Sequence, residues 1–215
     1  MRIDVWSDVA CPWCYVGKRN LEQALAELDL ADEVEVRWRA YELDPGAPAS
    51  SSLSMSEVLS RKYGVSVVEA DEMNARMTAA AAKVGLEYHL DTAQLGNSFD
   101  AHRLAKLADD RGLGGAMAER LFAAHFTENQ LISDRDTLIA LATEVGLDPA
   151  EAAAVLDSDA YADEVRGDEE FASEAGFSGV PTYVVDGRLA IPGAQPVDVL
   201  VRLLGRMAAN EPVDG

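Results

Sequence analysis

Cysteine is nearly absent from this 215-residue chain, which carries two, Cys11 and Cys14. A C-x-x-C pair closes too short a loop to staple a fold of this length, so an ordinary hydrophobic core must hold the chain. The apolar share of 48% is enough to build one. Histidine is as rare: His89, His102 and His125 are single and scattered. Zinc takes four ligands, a C-x-x-C supplies two, and no pair of histidines at helical spacing supplies the others. Tyr15 stands after Cys14, where attachment of a c-type haem needs histidine. No metal or cofactor is expected.

Positive charge is also lacking. Eighteen Lys and Arg residues face 38 Asp and Glu, a formal charge of −20. Such a surface repels nucleic acid and anionic lipid, so neither is an expected partner, and it favours solubility. No apolar run approaches a membrane span. Asp4 interrupts the apolar stretch after Met1, so no secretory signal is expected. The expected location is the cytoplasm. Thiols stay reduced there, and a cysteine pair is then catalytic or metal-binding more often than structural.

What is present is organised from both ends. "RIDVW" is rich in β-branched and aromatic residues and reads as a strand. Val16, Leu21, Ala24, Leu25 and Leu28 recur at helical spacing, which predicts a helix from about Cys11 to Leu28. "VEVRWRAYEL" alternates from Val34 and reads as a second strand, parallel to the first through a right-handed crossover. "DPGAPASSSLS", Asp44 to Ser54, is a loop and a boundary. Residues 56 to 175 read almost entirely as helices. Among them "SDRDTLIALATEVG" is capped at Ser133 or Asp134 and stopped at Gly146, and "DPAEAAAVL" has Pro149 in its first turn. "PTYVVDGRLAIPG" is a hairpin around Asp186-Gly187. Pro196 to Ala209 is an amphipathic helix, and "NEPVDG" is expected to fray. Strands from both ends must share one sheet. The expectation is an α/β fold, with residues 1–55 and 170–215 forming one domain and 56–169 inserted as a helical cap.

The chemistry centres on "DVACPWCYVG". The thiolate is the reactive form of cysteine, and a helix N-terminus favours it through free N–H groups and the helix dipole. Cys11 stands at the junction of strand and helix. Pro12 suits a first turn that needs no N–H from it. Cys14 lies one turn on, placed to attack a mixed disulfide on Cys11 and release the partner. Two inert buried cysteines are the alternative. Asp8 is open to three readings: it raises the thiol, caps the helix, or accepts a proton from Cys14.

"GFSGVPTYVV" places Val180-Pro181-Thr182 just before a strand, where proline is tolerated only at a strand start or an edge. Taken with the C-P-W-C helix and the helical insert, this order resembles the DsbA-like branch of the thioredoxin superfamily, over nearly the whole chain. "SDVACPWCYVG", "NSFDAHRLAKLA" and "GVPTYVVDGRLAIPGAQP" resemble its cytosolic FrnE-type subgroup. The resemblance implies a thioredoxin-like fold with a large helical insertion. It implies that Cys11 is the nucleophile, Cys14 the resolving thiol, and Pro181 a cis residue packed against them. The Val180 backbone would then pair with an extended substrate segment.

The candidate substrate contacts are Pro12, Trp13, Val180, Pro181, Thr182, Asn97 and His102. In "NSFDAHRLAKLA", Phe99, Leu104, Leu107 and Ala108 make the apolar face. Asn97, Ser98, His102 and Arg103 either look toward the cysteines or serve as caps and surface. The expected function is exchange with a thiol or disulfide in a protein or small molecule, with glutathione or a thioredoxin system setting the working state. The alternative is a glutathione-dependent isomerase or transferase of the 2-hydroxychromene-2-carboxylate isomerase or kappa type. The resemblance implies a serine at the position of Cys11 in those enzymes, and two cysteines argue against it. A third reading is a non-enzymatic binder using the groove near Pro181.

Overall fold

Alternation along the first strand decides how the two halves of the molecule meet. In the computed structural model, which describes residues 1–209 and 211, β1 (Arg2–Ser7) is the second of four strands in the order β2-β1-β3-β4. It pairs in parallel with β2 (Glu35–Ala40) and antiparallel with β3 (Thr182–Val185), which forms the hairpin with β4 (Leu189–Pro192). Successive side chains of a strand point to opposite faces. Ile3 and Val5 therefore enter the core made with α1 (Pro12–Glu27) and α9 (Val197–Ala208), where Leu21, Ala24, Leu200 and Leu204 meet them. Trp6 turns the other way. It stacks on Phe171 and donates its indole N–H to the Asp168 carbonyl at 2.8 Å.

The hairpin turns at Asp186-Gly187, both at positive φ (48° and 67°), the backbone that a two-residue turn matching the strand twist needs. The seven helices between β2 and β3 are α2 (Met55–Tyr63), α3 (Val67–Ala82), α4 (Phe99–Asp110), α5 (Gly114–Phe126), α6 (Arg135–Glu144), α7 (Pro149–Leu156) and α8 (Ala162–Glu174). Local chemistry sets their ends. Ser54 with Glu57, and Ser66 with Glu69, form reciprocal capping boxes on α2 and α3, satisfying N–H groups that have no partner within the helix. Gly64 ends α2 at φ 67°. Asp134 caps α6 and Asp148 caps α7, with Pro149 in its first turn. The boundary expected at 169/170 falls inside α8.

The helices build their own core from Leu104, Met117, Leu121, Leu138 and Leu141, and Val9 from the loop after β1 is packed into it. A second cluster joins both cysteines to Met77, Tyr88, Phe122 and Phe126. The buried carboxylate of Asp168 (α8) accepts the Ala40 N–H at 2.8 Å and pairs with Lys106 (α4) and Arg39 (β2), fastening two helices to the edge of the sheet. Among the described residues, no helix is long and apolar enough to cross a membrane. The tail expected to fray lies, apart from Glu211, outside the described residues.

Candidate active site

The sheet register assembles the site. Trp6 pairs with Thr182, so the loop leaving β1 and the loop entering β3 emerge side by side. Cys11 ends the first as the N-cap of α1 in extended conformation, and Pro12 begins the helix. The Cys11 N–H donates to the Asp8 carbonyl and the Cys14 N–H to the Cys11 carbonyl, both at 3.0 Å. The second loop supplies Pro181, joined to Val180 by a cis peptide bond. The Cys11 thiol donates to the Val180 carbonyl at 3.6 Å.

α1 lies unusually close to this loop. A Cβ on Gly17 would stand 2.9 Å from Pro181 Cγ and 2.3 Å from Tyr183 Oη. On the other side Tyr88 donates its hydroxyl to the Pro12 carbonyl at 2.7 Å and stacks on Phe126, while Tyr15 stacks on Phe122. The insert thus wedges the start of α1 against the sheet.

Both cysteines are buried, Cys14 the more deeply. Cys11 keeps 5% of its surface and Cys14 only 1%. Burial pushes the Cys14 thiol well up, and the neighbouring Cys11 adds to the effect. The Ser7 hydroxyl and the Asp8 backbone N–H face the sulfur and offset part of it.

Asp8 is buried. Its carboxylate accepts the Ala10 N–H at 3.1 Å and the Leu43 N–H at 2.7 Å, and His102 Nε2 stands 3.5 Å from Oδ1. Burial opposes ionisation of Asp8, but the His102 ring and the two N–H donors outweigh it and hold the carboxyl below its usual value. Among the described residues, no group of three or more His, Cys, Asp or Glu side chains is arranged to hold a metal ion.

A cysteine pair at a helix start beside a cis-proline loop, under a helical cap, is a combination that can be compared with known proteins. A family model described as a DSBA-like thioredoxin domain matches residues 2–205. The chain belongs to that family. Members of the DSBA-like family are disulfide oxidoreductases or isomerases, and the fold is the DsbA-like thioredoxin fold, a mixed four-stranded sheet with a helical insertion. The chain is similar to a solved structure described as a probable DsbA oxidoreductase, SCO1869, from Streptomyces coelicolor. That match has 40% identity and a TM-score of 0.92, covering 100% of this chain and 92% of the other. It is 32% identical to the protein YwbO of Bacillus subtilis (strain 168), over 95% of this chain and 96% of that one. It also shares its fold with the cytosolic disulfide reductase DsbM of Pseudomonas aeruginosa, solved with GSH. There the identity is 20% and the TM-score 0.68, with 97% of this chain and 100% of the other covered.

In this DSBA-like frame the candidate residues separate. Pro12 begins α1, the Val180 carbonyl before Pro181 meets the Cys11 thiol, and Trp13 on the first turn is 48% exposed. Thr182 is buried, its hydroxyl donating to the Gly179 carbonyl at 2.8 Å, where it braces the proline loop from within. Asn97 stands just before α4, where its amide donates to Glu42 at 3.0 Å and its carbonyl oxygen accepts the Phe99 N–H at 2.8 Å. Arg103 holds the carbonyls of Val155 in the last turn of α7 and of Ser158 and Ala160 beyond it. Asp8 does not cap α1; its acceptors serve Ala10 and Leu43. His102 does reach the active-site loop, through Asp8. Sequence reasoning passed over Ser7, Tyr88, Tyr183 and His125. For His125 there was a signal: "LFAAHF" is apolar on both sides, and the ring is 1% exposed.

Proposed function

We propose that the chain is a thiol-disulfide oxidoreductase in which Cys11 attacks and Cys14 resolves. The observation that carries this reading is the unequal placement of the two sulfurs. Cys11 stands at a helix start with its thiol on the Val180 carbonyl of the cis-proline loop, and Cys14 lies one turn behind and deeper. The Cys11 thiolate attacks a substrate disulfide, forming a new S–S bond and releasing one thiolate. The Cys14 sulfur then attacks Cys11, forming the internal disulfide while the second substrate thiolate leaves with the bonding electrons. The reverse sequence reduces the protein.

An extended peptide running beside Val180, with the exposed Trp13 against it, is a substrate that fits this site. Glutathione fits as the small thiol, in keeping with the DsbM structure solved with GSH, and a thioredoxin system is the other candidate. A reducing cytoplasm is the setting in which a lone C-x-x-C acts as catalyst. "SDVACPWCYVG" and "NSFDAHRLAKLA" support placement in the FrnE-type subgroup.

Replacement of each cysteine tests the assignment. Cys11→Ser is expected to abolish exchange, and Cys14→Ser to accumulate mixed disulfides on Cys11, read as adduct mass under non-reducing conditions. Two variants that behave alike would overturn the roles.

A further inference from the structure

We propose that His102, oriented by Asp8, is the internal base that receives the Cys14 proton when Cys14 attacks a mixed disulfide on Cys11. The proposal rests on the exchange reaction above and assigns to an inserted helix a part in its second step.

Cys14 must lose its proton to attack, and with 1% of its surface exposed it has no direct contact with bulk water. Ser7 faces its sulfur. Ser7 also lines a cavity of about 20 Å³, together with Val9, Trp38, His102 and Lys106. A volume of roughly 10–15 Å³ holds one water, so the cavity has room for one between Ser7 and His102. His102 is itself buried, and its Nε2 has no hydrogen-bond partner among the described residues while standing 3.5 Å from Asp8 Oδ1. A buried ring with an unpartnered nitrogen 3.5 Å from a buried carboxylate is placed to accept a proton.

The other groups around the ring fit the role less well. His125 on α5 feels the Asp8 charge, but burial brings it down to about 4, and it does not line the cavity. Lys106 on α4 and Arg39 on β2 reach the cavity as cations, each held by a carboxylate, Lys106 by Asp168 and Arg39 by Asp4 and Asp168. Asp8 does not line the cavity, and its carboxylate already accepts the Ala10 and Leu43 N–H groups. The step balances. The Cys14 S–H proton passes through Ser7 and the water to His102, and the sulfur electron pair forms the bond to Cys11. The substrate thiolate leaves and takes a proton from solvent.

Dithiobis(nitrobenzoate) separates the two steps. Reduced protein releases one coloured thiolate as Cys11 attacks and a second as Cys14 resolves the adduct. With an internal base, the second-phase rate of the wild type is expected to level off across the neutral range. In His102→Gln it should fall by about a hundredfold at neutral pH, the lower end of what a positioned base supplies, and then climb in proportion to hydroxide. Asp8→Asn should lower the second-phase plateau. A wild-type second phase that climbs with hydroxide throughout would overturn the proposal. So would a wild-type profile in His102→Gln, or equal slowing of both phases. The wild-type profile decides even if a variant fails to fold. Absence of a second phase in the wild type would instead sink the exchange reaction itself.

Discussion

His125 shows how far a single buried side chain can bias the whole fold. Neither ring nitrogen has a hydrogen-bond partner among the described residues, and the ring packs edge-on against Phe126 with centroids 4.6 Å apart. Burial drives its pKa down from 6.5 to about 4, against a smaller opposing pull from the Asp8 charge. The unfolded chain therefore binds a proton between these values and the folded one does not. Stability is complete above about pH 6.5 and falls as the pH drops toward 4, by about 3 kcal/mol at 1.36 kcal/mol per unit. Carboxylates titrate in part of the same window, so the test is a difference. Urea midpoints of wild type and His125→Leu, followed from pH 7 to pH 4, should show the variant gaining on the wild type as the pH falls. A constant difference would mean that the ring is protonated in the folded state, or reaches solvent.

At the scale of elements, the site depends on how closely α1 lies on the loop before β3. Gly17→Ala places a methyl group 2.3 Å from Tyr183 Oη and 2.9 Å from Pro181 Cγ, and neither ring can retreat within a packed core. The substitution is expected to destabilise the fold by about 1–3 kcal/mol and to slow exchange by displacing Pro181 from Cys11. Denaturant midpoints with exchange rates measured in parallel check both; an unchanged midpoint would mean that the helix slides at no cost. The elements themselves were readable from local signals. β1, α1 and β2 follow from a change of period, the hairpin from Asp186-Gly187, and α6 and α7 from Asp134, Asp148 and Pro149. What local pattern does not carry is which distant partner a polar side chain finds. Asn97, His102 and Arg103 stand on one short stretch and all looked equally able to face the cysteines. Asn97, just before α4, bonds Glu42, while the helix sends Arg103 to the carbonyls at the end of α7 and His102 to Asp8. The packing of α4 against α5, α7 and α8 sets those directions, and no short-range signal encodes it.

The molecule as a whole presents a field that its own site must work in. A net charge of −20 slows the approach of anions and has little effect on neutral molecules, over distances that salt controls. Basic side chains on α1 and around the Ser7 cavity are paired with carboxylates. Lys18 and Arg19 are tied to Glu22 and Glu119, and Arg39 and Lys106 to buried aspartates. Each glutathione unit carries two carboxylates and one ammonium, so its disulfide is a net anion. Exchange with oxidised glutathione should therefore speed up several-fold as salt rises from the low-millimolar range to about 0.15 M, where the screening length shrinks to about 8 Å. A neutral disulfide such as bis(hydroxyethyl) disulfide should react at a nearly constant rate. The ratio of the two salt slopes, measured by the first phase of oxidation of Cys11, isolates the charge term from any effect of salt on the protein. If glutathione disulfide shows no salt dependence, a local positive potential at the site offsets the global charge. The chain would then be built to receive anionic disulfides despite its surface. If its rate rises as expected, the acidic surface favours neutral or basic disulfide substrates over glutathione, and a cationic peptide disulfide should then lose rate over the same range of salt.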